Sequence, residues 1–220
     1  MATKQEVLTK DKIVSLYMEY ALEHQQKPTN IYLFAKKSGI TENEFYHFFG
    51  NLEIIEKEIF EIFFTKTMQL LDENPEYGTY DMKNKLLCFY FTFFELLTAN
   101  RSFVVLTLKQ YQNQLKNVMI LSELRKNFKR YVASIITNEF RTSTEKFQEF
   151  QEKTTTESFW FQLLLTLKFW MDDSSAKFEK TDIFIEKSVK VSFELMQVAP
   201  LDSLLDFGKF IFKEKIYNKN

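Results

Sequence analysis

The 220-residue chain offers little to catalysis: two histidines, one cysteine and four isolated glycines. Neither His24 nor His47 has a His or Cys partner at metal-ligand spacing, which excludes the common zinc patterns. Cys88 sits inside an apolar run, where a thiolate is disfavoured. The glycines occur singly, so no loop can cradle a phosphate. Asp172-Asp173 reads as a solvated turn. The expectation is a protein that is not an enzyme and carries no cofactor and no metal.

Residues suited to recognition cluster in one stretch. Lys36, Lys37 and His47 supply local positive charge, and Asn43 carries an amide that can pair with an adenine edge. Lys36 and Lys37 read equally well as the solvated face of a helix. The surroundings are acidic. Through Phe60, seven lysines oppose nine aspartates and glutamates, and the whole chain carries −1. Phosphate neutralisation supplies most of the affinity of a DNA-binding head, so a duplex would have to be held by the local patch.

Short helices are needed to present these side chains. Ile13, Leu16, Tyr17, Tyr20 and Ala21 give one apolar face to a helix over roughly 10–25. Thr29 is expected to cap a short second helix running to about Lys37, with Ile31, Leu33, Phe34 and Ala35 on its apolar side. Gly39 suits the left-handed residue that ends it. Thr41 and Glu44 have the spacing of a capping box for a short third helix ending near 49–50. Asn51 then caps a long helix to about Leu71, with Ile54, Ile55, Ile59, Ile62, Phe63 and Leu70 as its buried stripe. Two short helices about a tight glycine turn have the layout of a helix-turn-helix module.

The segment PTNIYLFAKKSGITENEFYHFFGNLEII resembles the head of the TetR family of transcriptional regulators. The features that carry the resemblance are Thr29, Ala35, Gly39-Ile40-Thr41, Phe45-Tyr46 and Phe49, over about a quarter of the chain. It implies that Thr29 and Tyr46 contact DNA phosphates. The candidate DNA-binding set is therefore Thr29, Lys36, Lys37, Thr41, Asn43, Tyr46 and His47. Three positions depart from the family pattern: Asn43-Glu44 replace a small residue and Thr, Leu52 replaces a Lys, and Phe48 replaces a His or Tyr. A carboxylate facing phosphate repels it, so the capping role is the preferred reading of Glu44.

The resemblance also implies a helical body that dimerises and holds a ligand. Asn74-Pro75-Glu76-Tyr77-Gly78 is the clearest linker. Beyond it, helices are expected at roughly 81–98, 102–113, 118–137 (with an extension to 150), 157–171, 182–198 and 201–217. Leu86, Leu87, Phe89, Tyr90, Phe93, Phe94 and Leu97 cover most of a helix circumference, the pattern of a helix that is buried or lines a cavity. Phe159, Trp160, Leu163, Leu164, Leu167 and Trp170 are equally dense. Phe89, Tyr90, Phe93, Phe94, Trp160 and Leu164 are taken as the candidate lining for an apolar small molecule or lipid, with ordinary core packing as the plainer reading. The helices over 157–171 and 182–198 are the expected homodimer interface, a four-helix bundle across a two-fold axis. In the second of these, Ile185, Val189, Phe193 and Met196 mark one apolar side, and Phe184, Val191 and Leu195 another.

The segment WMDDSSAKFEKTDIFI, Trp170 to Ile185, is similar to lipid-binding accessory proteins of ubiquinone biosynthesis. That resemblance implies a TetR-like fold that carries lipid and no longer binds DNA. The tail combines Leu204, Leu205, Phe207, Phe210, Ile211, Phe212, Ile216 and Tyr217 with Lys209, Lys213, Lys215 and Lys219. Such a terminal helix either packs on its own domain or makes a peripheral membrane contact.

Composition bounds the rest. With 25 Phe among 45% hydrophobic residues, a large core is available. Four Gly and three Pro are too few for a turn-rich β protein. Residues 1–11 lack the apolar core of a signal peptide, and the run Leu86–Leu97 is too short to span a bilayer, so the expected location is the cytoplasm. The expected architecture is all-α and TetR-like, with about nine to ten helices. A three-helix head over 1–50 precedes a helical-bundle domain over 51–220. Two functions fit this: a regulator binding double-stranded DNA in response to an apolar ligand, and a lipid-binding accessory protein of the same fold. A purely structural helical dimer is the third.

Overall fold

The computed structural model describes residues 7–110, 119–136 and 145–198. Among them are nine α-helices and no strand. These are α1 (Lys10–His24), α2 (Ile31–Ser38), α3 (Glu42–Phe48), α4 (Leu52–Asp72), α5 (Met82–Ala99), α6 (Arg101–Gln110), α7 (Ser122–Ile135), α8 (Glu145–Asp172) and α9 (Glu179–Val198). Single 3-10 turns lie at Tyr77–Thr79 and Ala176–Phe178. The helix expected over 201–217 lies outside the described residues.

The helices form two compact units, one of Met1–Asn74 with Thr92–Phe128 and one of Pro75–Phe91 with Lys129–Asn220. In the first, α1 packs on α2, α4 and α6 with Ile13, Val14, Tyr17, Tyr20 and Ala21 buried. Thr9 caps α1 by accepting from the Lys12 N–H, and Lys10 pairs with Glu58 of α4. Tyr20, Phe34, Phe45 and Phe49 form a run of ring contacts from α1 through α2 and α3. Asn127 of α7 donates to Glu61 of α4 at 3.2 Å.

The second unit is built around the α8–α9 hairpin. Gln162 on α8 is buried and sets the register. Its amide nitrogen donates to Ser188 Oγ at 3.0 Å, and its oxygen accepts from Ser192 Oγ at 3.1 Å. Phe169 stacks on Phe184 with centroids 4.5 Å apart, and Phe159 meets Phe193 at 5.9 Å. Asp173 turns the chain from α8 to α9. Its carboxylate accepts from the Ser175 N–H and hydroxyl and from the Thr181 N–H and hydroxyl, all within 3.0 Å.

Several helix expectations need correction. Asn30, one residue after Thr29, caps α2: its Oδ1 accepts the Leu33 N–H at 2.8 Å. Thr29 is exposed just outside the helix. On α4, Ile55, Ile59 and Phe63 are buried, but Ile54 and Leu70 are exposed and Ile62 is half-buried. The apolar residues span more than one face, and only one face is covered. Leu33 is exposed on α2 for the same reason. α8 begins at Glu145, about three turns before the expected start. The stretch before Phe159 is polar, and its Glu, Gln and Lys residues favour helix without giving an apolar period. α9 begins at Glu179, ahead of the expected 182, because the Asp173 and Ser175 side chains take its first N–H groups.

Candidate nucleic-acid interface and the helical body

The α2–turn–α3 segment is fixed by its caps. Gly39 adopts φ +68°, a left-handed conformation that costs glycine nothing. The Ile40 N–H closes the turn on the Ala35 carbonyl at 3.0 Å. At the start of α3 the capping box is complete. The Glu44 N–H donates to Thr41 Oγ1 at 3.2 Å, and Glu44 Oε2 accepts from the Thr41 N–H at 2.7 Å and from its hydroxyl at 2.8 Å. Hydrogen bonds from the Thr41 backbone and hydroxyl hold the Glu44 carboxyl below the usual carboxylate range. In this arrangement the hydroxyl of Thr41 donates its proton to Glu44.

Asn43, Tyr46 and His47 are all exposed on α3. Their i, i+3 and i+4 spacing puts them on one face. Tyr46 is 54% exposed and its ring meets Phe45 edge-on at 5.7 Å, so the core fixes the ring while the hydroxyl faces outward. Lys36 and Lys37 are exposed in the last turn of α2. The Lys36 ammonium lies 5.9 Å from the centroid of Tyr32, an exposed aromatic that sequence reading missed although its i, i+4 spacing to Lys36 was visible. Acidic side chains share the exterior: Glu42, Glu44 and Glu53 are all exposed.

The candidate ligand residues divide between the units. Phe89, Tyr90 and Trp160 are buried and Leu164 half-buried in the second; Phe93 and Phe94 are buried in the first. In the second unit the Tyr131 hydroxyl donates to the Lys85 carbonyl at 3.0 Å, so the 2.7 Å contact with Tyr77 makes Tyr77 its donor. Tyr131 stacks on Phe89 at 5.0 Å. Burial, reinforced by the Tyr77 hydrogen bond, pushes the Tyr131 phenol well up. Burial likewise raises Tyr90, whose hydroxyl reaches the Phe159 carbonyl at 3.4 Å. Cys88 is half-buried and its thiol is pushed up, which disfavours the nucleophilic thiolate. No cluster of three or more His, Cys, Asp or Glu among the described residues could hold a metal ion.

A cleft of about 570 Å3 opens where α8 meets α9, lined by Leu165, Lys168, Phe169, Asp172, Lys180 and Phe184. None of these belongs to the candidate ligand set. The cleft adjoins an apolar outer face made by Phe161 (60% exposed), Leu165, Ile183, Val191 and Leu195 (62% exposed), while Ile185, Val189 and Phe193 of α9 are buried. No single helix among the described residues is long and apolar enough to cross a membrane.

A capped helix-turn-helix and a body of long helices define the class to which this fold belongs. The family model described as "Tetracyclin repressor-like, C-terminal domain" matches residues 85–211, more than half of the chain. The chain belongs to the TetR family, a family of regulators and not of enzymes. Among solved structures, the fatty acid degradation regulator FadR from Bacillus halodurans is similar over 87% of this chain and 99% of that chain. The TM-score is 0.54 and the identity 16%, a likeness of fold. Comparison with curated proteins gives no match.

Proposed function

We propose that this protein is a homodimeric TetR-family regulator that binds duplex DNA through α2 and α3 and an apolar, acyl-chain-like ligand in its helical body. The observation that carries the reading is the exposed trio Asn43, Tyr46 and His47 on a helix capped at its start and anchored by buried Phe45 and Phe49. An amide, a phenol and an imidazole on one outward face suit a base edge and phosphate oxygens. Lys36 and Lys37 add the positive charge. The acyl-chain class is supported by the aromatic interior and by the FadR fold likeness.

The outer face of α8 and α9 is the proposed dimer interface. Exposed Phe161, Leu165, Val191 and Leu195 would gain burial only against another surface. A two-fold axis there would set the spacing of two heads to about one DNA turn, roughly 34 Å. A ligand that prefers a dimer with a different spacing would lower operator affinity by its differential affinity for the two states.

One observation favours the second reading, a lipid-binding accessory protein that no longer binds DNA: exposed Glu42, Glu44 and Glu53 crowd the recognition helix. Fluorescence anisotropy against duplexes from the flanks of the protein's own gene, over a salt series, separates the two. Binding that weakens steeply with salt and is lost in a folded Tyr46→Ala variant supports the regulator. Absence of binding at low salt by a folded dimer refutes it for those sites.

A further inference from the structure

The cleft of about 570 Å3 between α8 and α9 has an apolar wall and a charged rim. Phe169 and Phe184 line it, stacked on each other with centroids 4.5 Å and planes 14° apart, and both are half-buried. Leu165, 45% exposed, extends the wall along α8. The backbone beneath is held in place. Asp173 ties the end of α8 to the start of α9 through Thr181, and Gln162 fixes the register through Ser188 and Ser192. Little ordering therefore remains to be done on binding. Four charged side chains line the cleft, and three are already answered. Each oxygen of Asp173 accepts two hydrogen bonds, from Ser175 at one and from Thr181 at the other. Asp172 pairs with Lys168 at 3.0 Å. Among the described residues the ammonium of exposed Lys180 has neither an ion pair nor a hydrogen bond.

We propose that this cleft is a second ligand site, selective for an aromatic monocarboxylate whose ring packs on Phe169 and Phe184 and whose carboxylate pairs with Lys180. Its volume falls in the range of small-molecule sites, roughly 300–1,000 Å3. A flat ring extends an existing aromatic stack, and it has fewer rotors to immobilise than an alkyl chain. One anionic group matches the one cation left over. A second would face Asp172 and Asp173, and a ligand ammonium would have to compete with Lys168 for Asp172. The site is separate from the apolar interior around Phe89 and Tyr90. It stands apart from the regulator reading, because neither α2 nor α3 takes part. Of its lining, Leu165 also belongs to the proposed dimer face, whose Phe161, Val191 and Leu195 lie further from the turn.

Titration of the full chain with naphthoate, read from isotope-labelled leucine methyl groups by nuclear magnetic resonance, tests the site. The expected result is a saturable shift of the Leu165 methyls, caused by the ring current of the bound naphthalene, with buried Leu86 of α5 unmoved. Naphthalenemethanol keeps the ring and loses the charge, and should bind about fivefold more weakly. Lys180→Gln should weaken naphthoate by about the same factor and leave naphthalenemethanol unchanged. Lys180 is exposed, and the variant keeps its backbone N–H bond to Ser175, so folding is preserved. Phe184→Leu should weaken both ligands by about fivefold. No saturable shift at Leu165, a shift at Leu86 as large as that at Leu165, equal binding of the acid and the alcohol, or a naphthoate affinity unchanged by Lys180→Gln each overturns the proposal.

Discussion

Replacing Asp173 with alanine is expected to destabilise the second unit by about 2–3 kcal/mol, because four charge-assisted hydrogen bonds converge on one carboxylate. Two come from Ser175, at 2.8 Å from its N–H and 2.7 Å from its hydroxyl. Two come from Thr181, at 3.0 Å and 2.7 Å, and Thr181 is 1% exposed. Water can replace the acceptor at half-buried Ser175, but the Thr181 N–H and hydroxyl would be stranded in the interior. Each stranded donor costs about 1 kcal/mol or more. For a chain of this size the melting temperature should fall by roughly 5–10 °C in a circular-dichroism scan. The same carboxylate makes a pH prediction. Burial pushes its pKa up, but the Ser175 and Thr181 hydrogen bonds outweigh burial and hold it at about 2. The folded value lies below the unfolded value of about 3.9. The stabilisation is therefore complete above the unfolded pKa and is lost as pH falls through the folded one, in the window from about pH 4 to 2. Asp173→Asn, which keeps one acceptor and cannot titrate, should show an intermediate melting temperature and a shallower acid dependence in that window. A fall of less than about 1 °C for Asp173→Ala, or an unchanged acid limb for Asp173→Asn, would refute the reasoning.

Three further outcomes are expected. Glu44→Gln keeps a capping side chain but removes a charge beside Asn43, so duplex affinity at low salt should rise by about three- to tenfold in anisotropy titrations; an unchanged affinity would mean that Glu44 does not face the DNA. Phe161→Asp with Leu195→Asp puts charge on the outer α8–α9 face and should convert the proposed dimer to monomer in sedimentation velocity, with helix content kept. Lys177 stands at φ +53° and Phe178 at +60°, but only Phe178 has a ring packed on Trp170; Lys177→Gly should therefore raise stability by about 0.5 kcal/mol in urea unfolding, and a loss would show that the lysine stem packs usefully.

Local order was legible in the sequence wherever a short-range signal was sufficient. The Thr41–Glu44 capping box, the Gly39 turn and the Asn51 cap depend on atoms within five residues of one another, and each forms as its spacing predicts. The all-round apolar pattern of α5 correctly marked Leu86, Phe89, Tyr90, Phe93, Phe94 and Leu97 as buried, while Leu87, marked with them, is half-buried. Thr29 and Asn30 were harder to separate, since both side chains can cap; the cap falls to Asn30, whose backbone is extended and whose amide oxygen reaches the Leu33 N–H.

Burial of one apolar residue and exposure of another on the same helix were not legible. Ile54 and Ile55 are adjacent residues of the same type on α4, both expected in its buried stripe, yet one is 41% exposed and the other 0%. Nothing local distinguishes them; what does is which face of α4 the other helices of the first unit cover. The same holds for Tyr17. As one aromatic on an apolar helix face it read as core, and its contacts with α2, α4 and α6 exist only because segments up to 86 residues distant in sequence fold against it. The sequence by itself determined helix type, capping and turn chemistry, because those energies are set by neighbouring backbone groups. The tertiary structure decided which apolar faces are covered and which rings touch, because hydrophobic burial is non-directional and is assigned only when distant helices pack.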